Sequence, residues 1–179
     1  EMRVPDSLTY VQAVKAGGKE SDELVLEDIA AFIRETIEDE PDTFFVMGSG
    51  STVAAIMDSM GLDNTLLGVD VVKDGELVAS DVTAAQLLEL TDGQPVKMVI
   101  TVIGGQGHIF GRGNQQLSPS FIRRTGKENV LITATKTKLQ SLDGRPLRLD
   151  TGDAELDTAL AGYFPVITGY RDKVLYPAK

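Results

Sequence analysis

TFFVMGSGSTVAAIM (residues 43–57) is the stretch that decides the fold. Thr43 to Met47 is a short, wholly apolar run. It is too brief for a helix and has no polar alternation, so it reads as a strand buried on both faces. Glycine and serine follow at once. Val53, Ile56, Met57 and Met60 then recur at helical spacing, and Gly61 is placed to end that helix. A buried strand, a tight loop and a helix in direct succession form the unit from which α/β sheets are built.

The same alternation extends in both directions. Upstream, SDELVLEDIAAFIRETIEDEPD (21–42) reads as a helix. Ser21 is its expected cap, acidic residues occupy its first turn, and Val25, Ile29, Phe32, Ile33 and Ile37 form one apolar stripe. Before it, residues 1–20 read as a leading strand or arm. Downstream, TLLGVDVV (65–72) reads as a second buried strand, with 73–76 as a hairpin turn into Leu77, Val78 and Ala79. DVTAAQLLELTDG (81–93) carries a capping box, Thr83 with Gln86. VKMVITVI (96–103) is the strongest strand signal. SPSFIRRTG (118–126) is a helix with Ser118 as cap, Pro119 at its first position and Gly126 at its stop. NVLITAT (129–135), YFPVITG (163–169) and KVLYP (173–177) read as strands. DAELDTALAG (153–162) is a helix that Asp153 caps. The expected architecture is a single α/β domain over 21–179: a mostly parallel, Rossmann-like sheet covered by helices, with a hairpin or two added.

Composition narrows the function classes. The 179 residues are 42% hydrophobic and 25% charged, the balance of an ordinary globular domain. Cysteine is absent, which removes disulfides and thiolate metal sites and favours a cytoplasmic setting. The net charge of −10 argues against a nucleic-acid surface, because phosphate backbones demand clustered Lys and Arg. No apolar run is long enough to span a bilayer, so no membrane partner is expected. Glu1 precedes Met2, so the chain reads as a piece of a longer protein.

An anionic ligand would need a local site made of backbone N–H groups and a few cations. Two stretches supply one. In the first, Gly48, Ser49, Gly50, Ser51 and Thr52 join a strand to a helix N-terminus, whose unpaired amides and dipole favour an anion. The alternative is a plain strand–helix turn with Ser51 as cap. In the second, GGQGHIFGRGNQQLSP (104–119) follows the carboxyl end of a strand, where ligands of open α/β sheets gather. Gly104, Gly105, Gln106 and Gly107 can form an anion nest. Arg112 offers a planar fork of donors, and Asn114, Gln115 and Gln116 add donors and acceptors. The alternative is a surface loop that binds nothing. The lone His108 stands between Gly107 and the apolar Ile109 and Phe110, and reads first as a structural hydrogen-bonder. Asp150 and Asp153 flank Thr151 and Gly152, a spacing that can hold a hydrated Mg²⁺ beside a phosphate. Against that stands the helix cap at Asp153. The catalytic candidates are therefore Asp150, Asp153 and His108, and the pattern fixes a role for none of them. Asp70 is a further candidate beside the strand ends.

Three blocks, GSGSTVAAIMDSMGLDNTLLGVDVV (48–72), GGQGHIFGRGNQQLSP (104–119) and RPLRLDTGDAELDTALAGYFPVITGY (145–170), resemble the C-terminal half of the ATP-NAD kinase-like family. The branch they resemble includes the acetoin-catabolism X protein. The resemblance implies phosphoryl transfer from ATP to NAD or a related metabolite, with Mg²⁺, shared with an upstream kinase-like domain. That upstream domain carries a Gly-Gly-Asp-Gly-Thr motif in the family. Here Gln106 stands after Gly104 and Gly105 where the motif has aspartate, so the family's catalytic aspartate maps to no residue of this chain, and the chain alone is expected to be inactive. A narrower resemblance, over 43–61, is to the ribose-5-phosphate isomerase and glucosamine-6-phosphate isomerase fold. It implies sugar-phosphate or nucleotide-phosphate binding at 48–52.

The partner expected on these grounds is a phosphorylated small molecule or nucleotide. A sugar-phosphate isomerase-like enzyme and a non-catalytic regulatory or assembly domain, the latter as a homo-oligomer, are the competing readings.

Overall fold

A computed structural model describes residues 19–111 and 114–179, with side chains in the first helix from Asp22 onward. The arm read over 1–20 lies outside the described residues, except that Lys19 and Glu20 open the first helix. Seven strands form one sheet: β1 (Phe44–Met47), β2 (Asp70–Lys73), β3 (Glu76–Ala79), β4 (Val96–Thr101), β5 (Val130–Thr133), β6 (Gly162–Gly169) and β7 (Asp172–Ala178). Among the described residues, six α-helices accompany them: α1 (Lys19–Asp39), α2 (Ser51–Ser59), α3 (Ala84–Leu90), α4 (Pro119–Thr125), α5 (Lys136–Gln140) and α6 (Ala154–Leu160).

The strand order is β3-β2-β1-β4-β5-β6-β7. The parallel part is confined to β1, β4, β5 and β6. β2 runs antiparallel to β1 and β3 to β2, while β7 returns antiparallel to β6. The sheet is therefore mixed, which corrects the expectation of a mostly parallel one. Two antiparallel pairs are hairpins of the expected kind, and the departure is β2, which also runs antiparallel to β1. Asp74 (φ 54°) and Gly75 (φ 78°) both sit in the left-handed region, as a tight hairpin requires, and Arg171 (φ 57°) turns the chain between β6 and β7. Short turns of this kind admit only antiparallel neighbours.

Alternation explains why β1 has no polar residue. Phe44 and Val46 enter one core with Met98, Ile100, Phe110 and Phe121, below helices α3 to α6. Phe45 and Met47 enter the other, with Val99 and Ile167, below α1 and α2. Val25, Ile29, Ile33 and Ile37 are the buried face of α1. Each such side chain contributes about 1.5–3 kcal/mol relative to exposure.

Two readings shift. Thr65 to Val69 is irregular chain rather than strand, because the Asp70 carboxylate accepts hydrogen bonds from Thr65 N (2.7 Å), Thr65 Oγ1 (2.8 Å) and Asp81 N (2.8 Å) and folds the segment back on itself. Helix α5, in the segment ATKTKLQ, was not anticipated. It is only five residues long, too short for a periodic signal. The caps at Thr83, Ser118 and Asp153 form as the sequence requires. Ser21 lies inside α1, whose start at Lys19 precedes the expected cap. Among the described residues, no helix is long and apolar enough to cross a membrane.

Candidate functional site

Because β1, β4, β5 and β6 are parallel, their carboxyl ends share one rim. The 48–52 loop leaves β1 there, and the 102–111 segment leaves β4 beside it. Thr101 and Thr133 close the adjoining ends: Thr101 Oγ1 donates to the Thr133 carbonyl (2.8 Å), and Thr133 Oγ1 to that of Ile100 (3.1 Å).

The 48–52 loop is fitted tightly into this rim. Gly48 N donates to the Val99 carbonyl (2.8 Å) and Gly50 N to that of Leu66 (2.9 Å). Both glycines are required by space. A Cβ on Gly48 would stand 3.0 Å from Asn114 Oδ1, and one on Gly50 would stand 2.8 Å from Thr101 Cγ2. Gly50 (φ 115°, ψ 161°) also occupies backbone space that other residues rarely enter. It is the residue that precedes α2, and no side chain caps the helix. Ser51, read as a cap in the plain-turn alternative, is instead the first helical residue. The first-turn amides of α2 are thus left without a side-chain acceptor at the positive end of the helix dipole.

Asn114 joins the two glycine stretches, although 65 residues separate it from Ser49. It is fully buried. Its Oδ1 accepts from Ser49 N (2.9 Å) and Ser49 Oγ (3.1 Å), and its Nδ2 donates to the Ile109 carbonyl (3.2 Å). Asn114 N in turn donates to the Gly111 carbonyl (2.9 Å). All these groups act within the protein, so Asn114 sets the position of the loop from behind. Gln115 is exposed and Gln116 half-buried.

Residues 103–108 form a narrow hairpin. Ile103 and His108 exchange both backbone bonds (2.7 and 3.0 Å), and Gly104 (φ 71°) and Gly107 (φ 80°) make the turn. Its outer carbonyls face cations: Lys138 Nζ donates to Gly104 O (3.1 Å) and Arg145 Nη2 to Gly105 O (3.3 Å). His108 is buried, and its backbone also pairs with Arg148. Arg112 lies outside the described residues.

The aspartates are placed apart in role. Asp153 caps α6, accepting from Glu155 N (3.0 Å) and Leu156 N (3.1 Å), and meets Arg123 at 2.8 Å. The amide of Leu156, then Arg123, holds its carboxyl below the usual carboxylate range. Asp150 is exposed, and its backbone carbonyl packs against Gly111. Among the described residues, no group of three or more His, Asp or Glu side chains suits a metal ion. Asp70, at the head of β2 beside Met47, is buried and committed to the bonds that fold 65–70. The residues found here and not by reading the sequence are Lys136 and Lys138, both on α5 at the rim. Lys136 is buried and paired with Asp172 at 2.9 Å. The available signal was Thr135, a helix cap directly after a buried strand.

Comparison with known families gives one match: residues 41–178 fit the ATP-NAD kinase C-terminal domain. That span covers most of the chain, and the chain belongs to this family. No curated protein and no solved structure matched it.

Proposed function

Taking that membership as the premise, we propose that the chain is the phosphate-binding C-terminal part of an ATP-NAD kinase, seating a nucleotide phosphate at the carboxyl rim of the sheet. The observation that carries this reading is the start of α2. Its first-turn amides have no side-chain cap, and Ser51 and Thr52 begin the helix with hydroxyl groups. A phosphate seated there needs no lysine from the loop itself. In this proposal the 104–107 hairpin is the second wall, and the likeness of 48–52 to the loop of sugar-phosphate isomerases reflects the same phosphate chemistry. The sequence blocks also favour the branch with the acetoin-catabolism X protein.

Phosphoryl transfer is largely positioning and charge stabilisation. This chain's residues would bind and orient the phosphate. No residue here is assigned the catalytic role, which the proposal leaves to an upstream domain. The carboxylates do not fit a Mg²⁺ cage, since Asp153 is already a cap and an ion-pair partner, and no step is routed through a metal.

Calorimetric titration of the 179-residue chain with ATP, NAD and sugar phosphates tests the proposal. Saturable binding is expected, and Thr52→Glu should weaken it about tenfold or more while leaving the fold intact, because an acidic residue in the first turn suits a helix but repels an anion. Folded protein that binds none of these anions would overturn the reading. Proton exchange on a sugar phosphate by this chain alone would replace it with the isomerase-like one.

A further inference from the structure

Three extended segments on the outer side of the fold run in parallel. His108 pairs with Arg148, and Leu147 with Ala178. Backbone bonds tie them: Arg148 N to Gly107 O (2.8 Å), Ile109 N to Arg148 O (3.1 Å), Leu147 N to Pro177 O (2.9 Å) and Lys179 N to Leu147 O (2.8 Å). Leu147 and Leu149 are buried, so alternation turns Arg148 outward. It opens onto a pocket lined by Gln106, Arg145, Pro146, Arg148 and Lys179.

The charge of this pocket is opposite in sign to that of the chain as a whole. The chain carries 27 acidic and 17 basic residues, yet three cations line the pocket and no acidic residue does. Among the described residues, none of the three has an ion-pair partner. Elsewhere Arg123, Arg124, Arg171, Lys97 and Lys136 are each matched by a carboxylate, while cations such as Arg34 and Lys73 have no ion pair among the described residues; the clustering of three sets the pocket apart. Clustered like charges repel, and ordinary surfaces intersperse the two signs. Arg145 is also pre-oriented: its Nε donates to Leu142 O (2.8 Å) and its Nη2 to Gly105 O (3.3 Å), which fixes the plane of the guanidinium. A guanidinium held in plane loses less freedom when it binds a multi-oxygen anion.

We propose that the pocket formed by Gln106, Arg145, Arg148 and Lys179 is a second anion site, distinct from the 48–52 loop, and that it takes the phosphate or diphosphate group of a small metabolite. Arg145 and Arg148 supply charge and forked donors, and Gln106 an amide donor from the tip of the hairpin. The site shares the 104–107 hairpin with the rim reading through Gln106, but it uses neither the 48–52 loop nor the start of α2, so a block at the rim separates the two.

Pyrophosphate is the probe, titrated at low ionic strength and followed by calorimetry and by backbone amide shifts. The Thr52→Glu chain, blocked at the rim, should still bind it saturably, with shifts at residues 105–108 and 145–149. Adding Arg148→Gln should raise the Kd about tenfold. Lys73→Gln, an equal change of charge on the distant β2–β3 hairpin, should leave the Kd unchanged. Loss of all binding in Thr52→Glu, or equal weakening by Lys73→Gln and Arg148→Gln, would overturn the proposal. Arg148 is exposed, so folding of its variant is checked by the unchanged amide spectrum elsewhere.

Discussion

At Gly48 and Gly50 an added methyl group would stand 3.0 Å from Asn114 Oδ1 and 2.8 Å from Thr101 Cγ2, whereas at Gly104 and Gly105 it would meet nothing within 4 Å. The two loops look alike as strings of small residues, but glycine serves packing in one and chain reversal in the other. The 48–52 loop is pressed against β4 and anchored by a buried asparagine. The 104–107 hairpin projects at its tip, and the φ angles at Gly104 and Gly107 require glycine, with Gly107 also close to the buried Leu142. A glycine cluster thus carries no single message: neighbours add to the backbone requirement at Gly50, while at Gly104 the backbone acts alone.

Substitutions can break or sharpen this contrast. The largest effect is expected at Gly111, which closes the second stretch but behaves like the first loop. Its φ is 84°, and a Cβ would overlap the Asp150 carbonyl. Gly111→Ala should cost about 4 kcal/mol or more in denaturant unfolding. Next is Asn114→Ala, which strips the buried contacts to Ser49 and Ile109. A loss of about 2–4 kcal/mol is expected. If the asparagine positions the 48–52 loop, phosphate binding should weaken as well, measured under conditions where the variant stays folded. The direct pair follows: Gly50→Ala should destabilise by about 2–3 kcal/mol, and Gly105→Ala should stay within about 0.5 kcal/mol of the parent. Equal melting shifts for the pair would erase the distinction between the loops.

The smallest effect concerns two helix starts. α2 begins at Gly50 with no side-chain cap, while α6 begins at Asp153 with its carboxylate bonded to two amides. Asp153 has a folded-state pKa below its ordinary value, so its contribution is present above the unfolded pKa and disappears as pH falls through the folded one. Stability of the parent should therefore drop below about pH 4 more steeply than that of Asp153→Asn. Parallel curves in that window would show that the cap carries no charge-dependent stabilisation. Because α6 is already capped, phosphate should protect amides at the start of α2 and not those of α6 from exchange.

Much of this architecture was legible in the sequence, for identifiable reasons. A strand buried on both faces must be apolar throughout, and Phe44 to Met47 are. Caps are local, so Thr83 with Gln86, Ser118 and Asp153 could be recognised from spacing of a few residues. The direction of a strand relative to a neighbour reached across a long connection is not written in its residues, so the hairpins were legible and the antiparallel pairing of β2 with β1 was not. Helix α5 was missed for lack of length, and with it Lys136 and Lys138.

The sequence by itself determined most of the succession of elements, the apolar faces of its longer helices and strands, the hairpin turn at 73–76 and the family. These depend on periodicity and on backbone sterics within a few residues. The tertiary structure alone decided which distant groups meet: Asn114 beneath the 48–52 loop, Lys138 and Arg145 on the hairpin carbonyls, and Gln106 beside Arg145 and Arg148. Those meetings follow from strand order and crossover, which bring together residues far apart along the chain. The short-range preferences of the residues themselves do not encode them.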